Sequence, residues 1–334
     1  MRPGRRTRGS RVALVAVVGV TTFLAVPGTA SAHGRAGMAW VQLSPSPSPS
    51  PRVYAAMAFD AAHGQDVLVG IGGRDDRVDT WTWDGTAWTK HHLRSNPPVR
   101  SASIAYDAAH GDVVLFGGSF LNETQSNETW IWDGTTWTQV TPPVSPPARF
   151  SAKMAYDPTL GEVVLFGGVV IGGDAFRDTW AWDGTTWTEL HPATSPDRRG
   201  GAAMAYDRYS SSVILVDGYR AGVGVKAYRD TWRWDGSTWT QLHPLHQPGT
   251  REWAAMADAP SLRHLVLFGG TSKHGSATWL WDGADWMRSA LSPAPGFRAG
   301  PAMAADPTGG ALLFGGVGVS GRRVLGDTWR LGPA

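Results

Sequence analysis

Two short stretches of this 334-residue chain bring together groups that could bind or transform a polar ring. Asp217, Tyr219 and Arg220 form the first; Arg251, Glu252 and Trp253 form the second. An indole or phenol face stacks on a ring, and a guanidinium forks onto carboxylate or hydroxyl oxygens. Carboxylates accept from hydroxyls, so the set suits a sugar-like ligand. Two carboxylates could also share general acid and base work, if their pKa values are driven apart and they stand about 5 to 9.5 Å from one another. Distance along the chain does not set that separation, so binding and catalysis both stay open for Glu252 and Asp217.

Other chemistries are excluded or unsupported. The sequence has no Cys, which removes disulfides, thiol nucleophiles and thiolate metal sites. His63 and His110 each precede a Gly in a turn, whereas His91, His92, His191 and His243 close strands, and none shows a ligand spacing. No metal site and no cofactor are expected.

Residues 1–32 read as a secretory signal. Arg2, Arg5, Arg6, Arg8 and Arg11 precede an apolar run over 12–26, and Ala30-Ser31-Ala32 offers small residues for cleavage. That run is shorter than the roughly 20 residues that span a bilayer, so cleavage without a retained membrane anchor is expected. General secretion is the favoured route, with Arg5-Arg6 leaving twin-arginine export open. Loss of the five arginines takes the formal charge from +2 to −3. Only pairs such as Arg198-Arg199 and Arg322-Arg323 remain as basic runs, which argues against nucleic acid as a partner. The mature chain is expected outside the cell or in a periplasm, as a monomer.

The elements that must position these residues repeat along the chain. The third copy shows the unit best: Arg149, Met154-Ala-Tyr-Asp157, Val163-Val-Leu-Phe-Gly-Gly168, Asp178-Thr-Trp-Ala-Trp-Asp-Gly184 and Trp187-Thr-Glu-Leu190. The second Gly recurs at 73, 118, 168, 218, 270 and 316, and the Thr-Trp tryptophan at 81, 130, 180, 232, 279 and 329. Each unit predicts four short strands, A to D, with Asp-Gly as the hairpin turn between C and D. The two strand-C tryptophans lie at i and i+2, hence on one face, which a single sheet cannot bury without neighbours.

The 18 tryptophans show how the array closes. Five units carry three each, but the sixth has Trp329, places Leu331 second, and stops before any strand D. Trp40-Val-Gln-Leu43 matches Trp239-Thr-Gln-Leu242, so an N-terminal strand is expected to complete the sixth blade and close a ring. All but Trp253 then fall on the lattice. The Ser-Pro run over 44–51 reads as a stiff polyproline II spacer into the first blade.

These motifs resemble the kelch repeat of kelch propellers and of the central propeller of galactose oxidase, over residues 40–331. The resemblance implies an all-β, six-bladed propeller of residues 33–334, with blade six formed from 298–331 plus 40–43. It also implies that the B–C and D–A loops share a ligand face. Departures are Asp217 in place of the first Gly, Ala277 in place of the acid before Thr-Trp, and Asp258 at the Tyr position of strand A. Without Cys, the copper cofactor of galactose oxidase cannot form. Six-bladed sialidases have a turn similar to Asp133-Gly-Thr-Thr-Trp137, but their Ser-x-Asp-x-Gly order is absent.

Residues repeated in every blade are expected to serve folding. The arginines at 52, 100, 149, 199, 251 and 298, with 100 one residue out of register, should bond loop carbonyls, the alternative being a cationic rim. The acids at 79, 128, 178, 230 and 327 should make turn or interblade bonds. The unrepeated set of Asp217, Tyr219, Arg220, Arg251, Glu252 and Trp253 is the candidate ligand site, unless Trp253 only plugs the central channel. The leading expectation is a secreted binding module for glycan or protein at the cell envelope, with B–C loops over 119–128, 219–230 and 317–327 supplying specificity. The alternatives are a hydrolase, epimerase or lyase acting on a sugar through Glu252 and Asp217, and a purely structural envelope protein.

Overall fold

Alternating β-branched and aromatic residues between Asp-Gly turns favour short antiparallel strands. The computed structural model bears this out and describes residues 37–72, 77–97, 100–120, 124–221, 226–271, 275–318, 321 and 323–333. The expected signal over 1–32, Gly73 and parts of the three B–C loops lie outside the described residues.

Six four-stranded antiparallel sheets form a ring, each ordered A-B-C-D. Strand A runs over Ala56–Asp60, Ser103–Asp107, Lys153–Asp157, Ala203–Asp207, Ala254–Ala259 and Ala302–Ala305 in blades one to six, and each touches strand A of both neighbours. Strands A therefore line a central channel. In blade six the N-terminal strand Met38–Leu43 pairs with Val324–Pro333, with Trp40 opposite Leu331 and Leu43 opposite Thr328, so the expected closure is observed. Beyond the blades, Tyr219–Arg220 and Lys226–Ala227 form a small hairpin, and Pro260–Leu262 is a single 3-10 turn. Among the described residues, no helix is long and apolar enough to cross a membrane.

The tryptophans pack between blades. Trp130, Trp132 and Trp137 of blade two cover Val67 and Val69 of blade one, and Trp81, Trp83 and Trp88 of blade one cover Leu312 and Phe314 of blade six. Each strand-D indole also donates to the first Thr of strand C in the preceding blade, at 2.9 to 3.1 Å. Trp40 takes part like the others, donating to Thr278 at 2.9 Å. Such a bond between fully buried partners fixes register as well as adding stability.

The repeated arginines form no rim. Arg52, Arg149, Arg199, Arg251 and Arg298 are at most 2% exposed. Arg149 donates to Gly167 O and forks onto Asp178, whose carboxylate also accepts from Trp180 Nε1. Arg52, Arg199 and Arg298 likewise pair with Asp79, Asp230 and Asp327 of their own blades, so these acids make bonds within a blade while the interblade bond belongs to Trp and Thr. Arg100 pairs across to Ser119 as Phe150 does to Val169, confirming that it sits one place out of register.

The first Gly of each Gly-Gly pair lets the next blade's arginine segment approach. A Cβ on Gly117, at φ 69°, would lie 2.6 Å from Arg149 O. In blade one the repeat register is corrected: Gly70, not Gly72, takes this place, since Arg52 Nη1 donates to Gly70 O as Arg149 does to Gly167 O.

Candidate functional site

The connector into strand A turns left-handed in every blade. Tyr54, Ser101, Ser151, Gly201, Trp253 and Gly300 have φ of 58, 56, 55, 59, 56 and 60°. Each donates its N–H to the carbonyl of its counterpart in the preceding blade, at 2.9 to 3.0 Å, and Tyr54 closes the circle on Gly300. These six bonds make a collar around one mouth of the channel. A bulky residue at positive φ is an outlier and costs about 1–2 kcal/mol. Tyr54 and Trp253 hold that conformation because the collar dictates it, and such strain concentrates where ligands are clamped.

The aromatic side chains converge over the collar. Trp253 meets Tyr219 edge-on at 5.1 Å between ring centroids and Tyr54 at 5.6 Å. Gly201 makes room for them, since a Cβ there would lie 2.8 Å from Tyr219 Cε1 and 3.1 Å from the Trp253 ring. Burial, then the charge of Glu252, pushes the Tyr219 hydroxyl up to about 12 and raises that of Tyr54, so both stay protonated donors. Burial alone raises Glu252.

Below these rings lies a vestibule of about 40 Å³, lined by Tyr54, Ser101, Ser151, Lys153 and Trp253 among others. It opens toward a channel of about 330 Å³, ringed by Met57, Ile104, Met154, Met204, Met256 and Met303. Lys153 is half-buried and stands where the other blades carry Ala56, Ser103, Ala203, Ala255 and Ala302. Desolvation lowers its ammonium to about 8.

Of the residues singled out in the sequence, Tyr219, Glu252 and Trp253 come together at this mouth. Asp217 does not: it takes the first-Gly place of blade four at φ 57°, is 2% exposed, and leaves Oδ2 without a hydrogen bond. Burial raises its pKa well above the usual carboxylate range, against a downward pull from Arg251. Arg251 is fully buried and donates to Gly269 O, with burial lowering it to about 10 and Asp217 opposing that shift. Ala277 leaves blade five without the usual acid, and the group that opposes the burial of Arg251 is the Asp217 carboxyl of the neighbouring blade. Arg220 is exposed and bound with Arg198 to Asp174. Glu252 and Asp217 therefore occupy different environments, and neither shifts the other's pKa.

Tyr54, Ser101, Ser151 and Lys153 are not singled out by the repeat pattern. The collar lies two residues beyond each buried arginine, and aligning that place across the copies would have shown Tyr54 beside Trp253. Among the described residues no group of three or more His, Asp or Glu is arranged to hold a metal ion.

No protein-family model matches the chain, and no curated protein matches it. Among the 372 solved chains that match, the structure of YjhT has a TM-score of 0.61 at 16% identity. The match covers 84% of this chain and 95% of that one, and at this identity it speaks for the six-bladed propeller fold alone.

Proposed function

We propose that this chain is a secreted propeller of the kelch type that binds a glycan at the cell envelope through the collar mouth. The observation that carries this reading is the aromatic trio of Tyr54, Tyr219 and Trp253, two of whose members are held in a strained backbone at the opening of a preformed cavity. A rigid propeller suits an interaction module, and stacking rings beside protonated Tyr hydroxyls and the Glu252 carboxylate match the faces and hydroxyls of a sugar. A protein partner would engage the same rings with the B–C loops. The acid–base reading with Glu252 and Asp217 is not favoured, because the Asp217 carboxyl is sealed beneath the surface.

A glycan array probed with the wild-type chain and with Trp253→Ala tests this. Binding to a defined glycan set that falls at least tenfold in the variant is expected. An array empty for both, or binding equal in both, would overturn it.

A further inference from the structure

The vestibule is rich in donors that the protein itself does not use. Among the described residues, nothing in the protein accepts a hydrogen bond from the Ser101 and Ser151 hydroxyls, the Tyr54 hydroxyl or Trp253 Nε1, which line the vestibule and stay open to solvent. No hydrogen bond or ion pair reaches the Lys153 ammonium either. These atoms are partly shielded yet still reach water, and a partly desolvated ammonium gains from an anionic partner. The collar N–H groups are already committed to carbonyls, so the convergent donors are side chains.

The charge count narrows the ligand. Among the described residues Lys153 is the one charged residue lining the vestibule, although the charge of Glu252 is felt at its Tyr54 wall, and the two other charged residues of the channel wall, Arg208 and Asp258, neutralise each other at 2.6 Å. A single positive charge among neutral donors fits a monoanion better than a phosphate dianion, which recruits clustered Arg or Lys. A space of about 40 Å³ is of the size of a carboxylate group rather than a sugar ring.

We propose that the vestibule is a carboxylate site, in which the Lys153 ammonium receives the anionic end of a small monocarboxylate and the Ser101, Ser151 and Trp253 donors share its oxygens. The proposal rests on the mouth being a binding site, but not on the ligand being a glycan. No proton or bond changes hands; the carboxylate enters as an anion and forms an ion pair with the ammonium.

The test uses the four lysines of the sequence, Lys90, Lys153, Lys226 and Lys273, which are few enough to follow singly by NMR in lysine-labelled protein. Acetate is the probe, acetamide the neutral control, and ionic strength is held constant. A ligand that prefers the ammonium form raises its titration midpoint, and acetate at ten times its Kd should raise that of Lys153 by about one pH unit. Lys90 and Lys226 should not move, acetamide should do nothing, and Ser151→Ala should weaken acetate several-fold. An unmoved Lys153 midpoint in 100 mM-range acetate, or an equal shift at all lysines, would overturn the proposal. Because the readout is the wild-type chain, it does not depend on the folding of Lys153→Met, in which acetate binding should be lost. An empty glycan array with a shifted Lys153 removes the glycan reading alone; Trp253-dependent glycan binding with an unmoved Lys153 removes the carboxylate site alone.

Discussion

Truncating Trp40 to Ala measures what the N-terminal strand contributes to the ring. The indole is 1% exposed, packs on Phe268 at 5.5 Å and donates to Thr278, itself 1% exposed. Removing a buried Trp side chain costs about 3–5 kcal/mol, and orphaning the Thr278 hydroxyl adds about 1 kcal/mol. Unfolding entropy of about 2.1 cal/mol/K per residue gives roughly 0.6 kcal/mol/K for a ring of about 300 residues. The melting temperature should therefore fall by about 7–10 °C in differential scanning calorimetry. Trp187 is the internal control: it is 1% exposed and donates to Thr129 at 3.0 Å, but its strand sits mid-chain. Equal losses from Trp40→Ala and Trp187→Ala are the expected result. A loss under about 2 °C for Trp40→Ala, beside a full loss for Trp187→Ala, would refute the reasoning, because the ring would then hold without its closing strand.

Other outcomes follow from residues that break the repeat. Asp66 is fully buried at a place where blades two to four carry Val113, Val163 and Val213, and neither of its carboxyl oxygens has a partner. Burial, then Asp306, raises its folded pKa, so it costs stability progressively as pH rises from the unfolded carboxylate pKa toward that raised value. Asp66→Val should gain about 1–3 kcal/mol at pH 7, and the gain in melting temperature should shrink toward pH 3–4; a constant or negative gain would contradict this. Asp217→Gly combined with Ala277→Asp restores the pattern of the other blades and should melt higher than either single variant, as read by calorimetry. Trp253→Gly should relieve backbone strain of about 1 kcal/mol while abolishing ligand capture, so a stability loss exceeding 2 kcal/mol would show that Trp253 is core.

The sequence makes the ring legible because its demands repeat: Gly-Gly, Thr-Trp-x-Trp and the buried arginine solve one packing problem in successive blades, and Trp40 completes the last. Blade one shows the limit. Its Ile71-Gly72-Gly73 resembles the Gly-Gly pair, but strand B continues through Gly72, and only the bond from Arg52 to Gly70 reveals the true register. The site is less legible because it depends on which connector residues converge on the axis. Trp253 was visible as the tryptophan outside the lattice, whereas Tyr54 and Lys153 look ordinary until their places in the collar and in strand A are aligned. Asp217 and Arg251 were visible as departures, but they compensate one another across a blade boundary in the interior rather than facing a ligand.

The collar has a consequence for how this surface can diversify. Its six N–H groups are spent on carbonyls, so the opening keeps one diameter whatever side chains it bears. Each seat asks that its occupant tolerate a left-handed backbone, as Ser, Gly, Tyr and Trp all do here, and the Gly201 and Gly300 seats also leave the room that neighbouring rings fill. The mouth is thus an exchangeable bezel on a fixed frame. Selectivity can be rewritten at the Ser, Tyr and Trp seats, with the interlocked tryptophans left untouched.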